Sequence, residues 1–164
     1  MIYSFGVEGK PRPKGSLKCM GGRSHNMVEA VESSKPWKLH MIRTIRFTFG
    51  IEPVRQGAKV IGWLRGGSPW EPYAGAVDVQ AIFRFERELS RAAGKAGEAL
   101  PSHSGLWPTA DDVGDTDKLC RNLGDALEQA GLISNDRNIV RWNACKRYVG
   151  PGEKAGVFVQ VSTL

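Results

Sequence analysis

The stretch DTDKLCRNLGDALEQAGLISNDRNIV, residues 115–140, contains a helix, a stop and the start of a strand. At 100° per residue Leu119, Leu123, Ala126, Leu127 and Ala130 share one face, while Asp117, Arg121 and Glu128 lie on the other. A helix over about residues 116–130 is therefore predicted, with Gly131 where a left-handed cap is wanted. The short link LISND then leads into NIVRWNACKRYV, read as a strand. With GVFVQVS beyond GPGEKA, that strand is expected to close a β-hairpin.

Before this stretch, AVDVQAIFRFE alternates. Val77, Val79, Ala81, Phe83 and Phe85 face one way, Asp78, Gln80, Arg84 and Glu86 the other, and only Ile82 breaks the pattern. Tyr3, Phe5 and Val7 give the same period of two at the start of the chain, followed by a basic loop over residues 9–26. From Ser34, with Pro36 early, Trp37, Met41, Ile45 and Phe49 form the apolar stripe of a second helix. KVIGWLR reads as a short strand and GGSPWEPYAG as turns, while residues 88–110 show no clear period. The order strand, helix, strands, helix, hairpin predicts one α+β domain over residues 1–164. Its two main helices pack on a mixed, largely antiparallel sheet.

The 164 residues carry 23 Lys+Arg against 17 Asp+Glu, a net charge of +6, which favours polyanionic partners. The excess sits in front: residues 1–70 hold 12 basic and 4 acidic side chains, so the remainder is net acidic. Cys19, Cys120 and Cys145 form no C-x-x-C spacing, so neither a disulfide framework nor a zinc knuckle is indicated and a reducing cytoplasm is expected. His25, His40 and His103 are scattered and receive no role. The opening MIYSFGVEGKP alternates instead of forming an apolar leader, and no apolar run reaches about 18 residues, so no membrane association is expected.

Asp111, Asp112, Asp115 and Asp117 fall within seven residues, and anions so close need a compensating cation or donors. Asp115 or Asp117 can serve as a helix cap, and Asp136 as an ordinary turn residue; both explanations stay open on sequence alone. The alternative is a metal site. A strand running back along the helix would carry Asp136 toward the Asp115/Asp117 pair, and oxygen ligands suit Mg²⁺ or Mn²⁺ completed by a substrate phosphate. Arg121, one turn after Asp117, is placed to pair with it or to face the phosphate.

These residues resemble the core motif of RusA-type Holliday junction resolvases, which are often encoded by phages and prophages. That motif runs D-x-D-N-L-x-K, then D-A-L, a glycine, and D-D before a strand. Asp115, Asp117, Leu119, Asp125, Ala126, Leu127, Gly131, Asp136 and Ile139 match it. The opening strand with GKPRPKGS, the helix near Trp37, the strand AVDVQAIFRFER and the Lys146 region are similar as well. The resemblance implies a RusA-like fold and a homodimer that nicks opposing strands of four-way or branched DNA. It implies Asp115, Asp117 and Asp136 as catalytic metal ligands for Mg²⁺, with Mn²⁺ as a substitute. Arg121 stands at the position of a lysine needed for cleavage. Lys118 replaces the usual Asn and Asn135 the first acid of D-D. Arginine keeps the charge but does not readily release a proton.

DNA contacts are expected from Lys10, Arg12, Lys14 and Lys18, which with Arg23 put five cations and no acid into residues 9–26. Lys118, Arg121 and Lys146 complete the expected set. If phage-encoded, the protein would work in the cytoplasm of a bacterial host. Two other readings compete with the nuclease. One is a protein of the same fold that grips junctions but cuts poorly, because of Arg121 and Asn135. The other is a basic adaptor with a capped helix and no metal.

Overall fold

Strand β7 (Val77–Phe85) occupies the middle of the main sheet, and its alternation explains why. Val77, Val79, Ala81, Phe83 and Phe85 are all buried, so one face of this strand is entirely core. In this computed structural model the described residues are 1–15, 17–19, 27–29, 34–89, 97–98, 104–109 and 113–164. The sheet runs β1 (Ile2–Glu8), β9 (Gly156–Thr163), β7, β8 (Ile139–Tyr148). β9 is antiparallel to both neighbours, and β8 is parallel to β7. Parallel neighbours need a crossover, supplied here by helix α2 (Thr116–Gln129).

The expected hairpin between the last two strands does not form. β9 inserts between β1 and β7, and β7 separates it from β8. The burial patterns agree with this order: Val157, Val159 and Val161 are fully buried in a strand paired on both edges, whereas β8, at the edge, exposes Arg141, Asn143 and Cys145. The link over residues 149–155 is long enough to step across one strand at about 4.8 Å spacing.

Helix α1 (Ser34–Phe49) follows the predicted stripe. Trp37, Met41 and Ile45 are buried with Ile42, and Phe49 meets Tyr3 and Phe5 edge-on, at 5.3 and 5.8 Å between ring centroids. α2 buries Leu119, Leu123, Ala126 and Leu127, all part of one core cluster with α1 and the sheet. Gly131 ends α2 at φ 79°, and the amide of Leu132 donates back to the Leu127 carbonyl at 3.1 Å. A Cβ on Gly131 would lie 2.6 Å from the Trp63 ring, so close approach as well as backbone conformation demands glycine.

Trp63 belongs to a smaller antiparallel sheet of β4 (Ile51–Gln56), β5 (Lys59–Arg65) and β6 (Ser68–Pro69). β5 coincides with the predicted KVIGWLR strand. Trp70 Nε1 donates to the Gly131 carbonyl at 2.8 Å, and the Arg46 guanidinium lies 5.2 Å from the Trp63 ring centroid, locking this sheet to both helices. Residues 9–26 are not simply a loop: β2 (Leu17–Cys19) and β3 (Met27–Glu29) pair antiparallel. Most of the aperiodic segment 88–110 lies outside the described residues. The whole is an α+β fold, two helices on mixed, mostly antiparallel sheets. Among the described residues no helix is long and apolar enough to cross a membrane.

Candidate functional site

Asp115 stands at the N-cap of α2 with extended backbone, and its carbonyl accepts from the Leu119 amide at 3.1 Å. Its carboxylate makes no capping bond; it pairs with Lys118 Nζ at 2.8 Å. The Asp115 side chain is therefore not used as a cap. Asp117 lies in the first turn, where a negative charge complements the helix dipole, and it pairs with Arg121 one turn later. Arg121's hydrogen bond holds the Asp117 carboxyl below the usual range, and Asp115 raises the Lys118 ammonium above its own.

Asp136 arrives on the same side of α2 as Asp117, both lining one cavity. The link after Gly131 ends in a 3-10 turn over Asp136–Asn138, and the Asn135 side chain caps that turn by accepting from the Arg137 amide at 3.0 Å. The Asp136 amide donates to Glu128 Oε2 at 3.2 Å, and Asn138 Nδ2 donates to Ser134 Oγ at 3.0 Å. Gly124 faces this return. A Cβ there would lie 3.7 Å from Asp136 Cβ, 3.5 Å from Ile139 Cδ1 and 3.7 Å from Trp142 Cζ2.

Between α2 and β8 lies a cavity of about 460 Å³. Asp117, Arg121 and Asp136 sit at its exposed rim, and buried Cys120 and Gly124 form the floor. Ile139, Trp142 and Ala144 line the strand side. Three predicted residues from two elements thus share one cavity. Asp115, turned to Lys118, does not line it, and Asp111 and Asp112 lie outside the described residues. Burial, with Asp117 nearby, pushes the Cys120 thiol up to about 11, so it is protonated at neutral pH.

Among the described residues no three His, Cys, Asp or Glu side chains converge as a closed metal site. Two carboxylates, Asp117 and Asp136, do line one cavity. Mg²⁺ is commonly held by one or two carboxylates, keeps several waters and takes phosphate oxygens from its substrate. The donor set fits that cation and not a zinc-type cage.

Several of the predicted DNA contacts have other partners in this fold. Lys10 pairs with Glu88 at 2.7 Å. Lys14 pairs with Asp125 at 2.8 Å, an acid that also faces Lys38 at 3.6 Å. Asp125, matched in the motif, is thus an anchor that ties the N-terminal arm and α1 to α2. The Arg12 carbonyl accepts from buried Asn122 Nδ2 at 2.8 Å, and Lys146 Nζ donates to the Gly114 carbonyl at 2.8 Å. Gly114, at φ 76°, packs directly against Pro13. Lys18 lies on β2, and Arg23 falls outside the described residues.

Gly124, Trp142 and Asn122 were not singled out from sequence. A glycine in mid-helix and a polar residue on its apolar face were the available signals. No protein-family model matches the chain, and no curated protein matches its sequence.

Proposed function

We propose that the protein is a Mg²⁺-dependent, structure-selective endonuclease that cuts four-way or branched DNA by paired, symmetric nicks as a homodimer. The observation that carries this reading is the meeting of Asp117, Arg121 and Asp136 at one cavity rim. Asp117 and Asp136 would hold the cation, with Asp115 one residue outside the cavity as a further carboxylate. When bound, Mg²⁺ supplies a Lewis acid for the scissile phosphate and a source of hydroxide. Arg121 contributes a fixed positive charge where negative charge develops on the phosphate, without acting as an acid. A charge of +6 favours the polyanionic substrate, and Lys10, Arg12, Lys18, Lys118 and Lys146 would track its phosphates. A cytoplasmic setting suits such a substrate.

The test is a labelled mobile four-way junction beside a linear duplex of the same sequence, with Mg²⁺ or chelator. Paired nicks confined to the junction, requiring Mg²⁺ and lost in Asp117→Asn, are expected. A protein that neither cuts nor prefers the junction overturns the reading.

The ion pairs favour a second reading, a junction-binding protein that cuts weakly. Asp117 is engaged by Arg121 and Asp115 by Lys118, so a cation must compete with the protein's own charges. Tight junction binding without nicks in Mg²⁺ or Mn²⁺ would support it, and Arg121→Lys is the variant expected to restore cutting.

A further inference from the structure

The cavity is larger and more apolar than a phosphate and a hydrated cation require. About 460 Å³ exceeds what an ion and a handful of waters, at about 30 Å³ each, would fill. Below the charged rim, moreover, the walls are Trp142, Ile139 and Ala144 over a floor of Gly124 and Cys120. Cys120 remains a neutral thiol and behaves there as a small apolar group. None of these side chains contributes to holding a metal or a phosphate.

Gly124 lies beside the indole: a Cβ there would stand 3.7 Å from Trp142 Cζ2 and 3.5 Å from Ile139 Cδ1, ordinary contact distances, so the helix presents only backbone to the foot of the cavity. Trp142 is half-buried, with part of its ring against the core and part on the cavity. An aromatic wall beside a place for an anion matches one ligand chemistry well. A nucleotide joins a phosphate and a flat aromatic base through a single sugar, so a phosphate held at Arg121 delivers its own base toward the indole.

We propose that this cavity receives one unstacked nucleobase of the branched DNA, packed against Trp142, and that Trp142 is a specificity-determining residue. The inference rests on the endonuclease reading and names the part of the substrate its site selects. Selection for branched DNA follows physically. A base inside a continuous duplex must be unpaired and unstacked before it can enter, whereas a base at a branch point costs less to extrude. Stacking on an aromatic side chain tolerates any base, so the pocket would read strand geometry more than sequence.

The experiment measures affinity in Ca²⁺, which shares the oxygen chemistry of Mg²⁺. The probes are four-way junctions with one abasic nucleotide moved through successive branch-point positions. At one position, wild-type affinity is expected to fall about tenfold, within the range for loss of one base–aromatic stack. Trp142→Ala should bind the intact junction about tenfold more weakly and lose no more at that abasic position. Trp142→Phe, which keeps a ring and guards against a folding defect in the alanine variant, should restore most of the abasic penalty. Equal abasic penalties in wild type and Trp142→Ala, or none in either, would overturn the pocket. Nicking of the intact junction in Mg²⁺ by the same wild-type preparation tests the parent reading separately. A wild-type protein that does not bind the junction overturns both.

Discussion

Asp117 and Arg121 form the pair whose chemistry matters most. Asp117→Asn removes a rim carboxylate and is expected to lower Mg²⁺-dependent junction nicking by about 10²-fold or more, as loss of a charge-stabilising group commonly does. Single-turnover cleavage measures it. Arg121→Ala should move the Asp117 carboxyl upward, toward the ordinary carboxylate range, because Arg121's hydrogen bond is the leading cause of its depression; side-chain carboxyl NMR titration reads the shift. Glu153, in the link between β8 and β9, provides a pH test away from the site. Arg147 and the Gly150 amide hold its carboxyl at about 2, below the ordinary value of 4.5. A depressed pKa means that the stabilisation is complete above about 4.5 and lost as pH falls toward 2. The stability difference between wild type and Glu153→Gln, followed by urea unfolding, should be constant near neutrality, shrink through that window and vanish below it. The residue types of these pairs were visible in the sequence, but not every partner. Arg121 sits four residues from Asp117 and is predictable from helix geometry, whereas Lys14 meets Asp125 only through the fold.

Helix α2 carries two glycines with opposite expected responses. Gly124 lies within the helix, and a Cβ there meets neighbours at ordinary contact distances of 3.5 Å or more. Gly124→Ala should therefore stabilise the fold by about 0.5–1 kcal/mol through helix propensity. Gly131 has φ 79° and a Trp63 ring 2.6 Å from any added Cβ, so Gly131→Ala should destabilise by more than about 1 kcal/mol. Thermal melts of the two variants are expected to move in opposite directions. The helix itself was legible because its apolar face repeats locally. Strand β9 was equally legible as a strand, but its partners were not. Hydrophobic alternation specifies which face is buried and carries no information on which edge is paired.

The molecule as a whole puts its proposed chemistry at the join of the parallel pair β7–β8, where α2 crosses from one strand to the other. If it acts on a two-fold substrate, sedimentation should give about twice the 18.0 kDa chain mass. Junction affinity should fall steeply with salt, and removal of the arm over residues 9–26 should flatten that slope. Lys14→Ala alone is expected to leave the slope nearly unchanged, because Lys14 is already paired with Asp125.

Sequence by itself determined the two helices, the buried faces of β1 and β7, the glycine stop at residue 131 and the shortness of the link between the helix and Asp136. All of these are local periodicities or chain-length constraints, and they act within a few turns of backbone. Only the folded chain decided that β9 would enter the sheet between β1 and β7, and that Asp125 would become an anchor for Lys14. It also decided that Asp115 would turn to Lys118, leaving Asp117 and Asp136 on a cavity walled by Trp142. Each of those outcomes depends on competition among distant partners for burial and charge, and one strand or one carboxylate considered alone does not specify the winner.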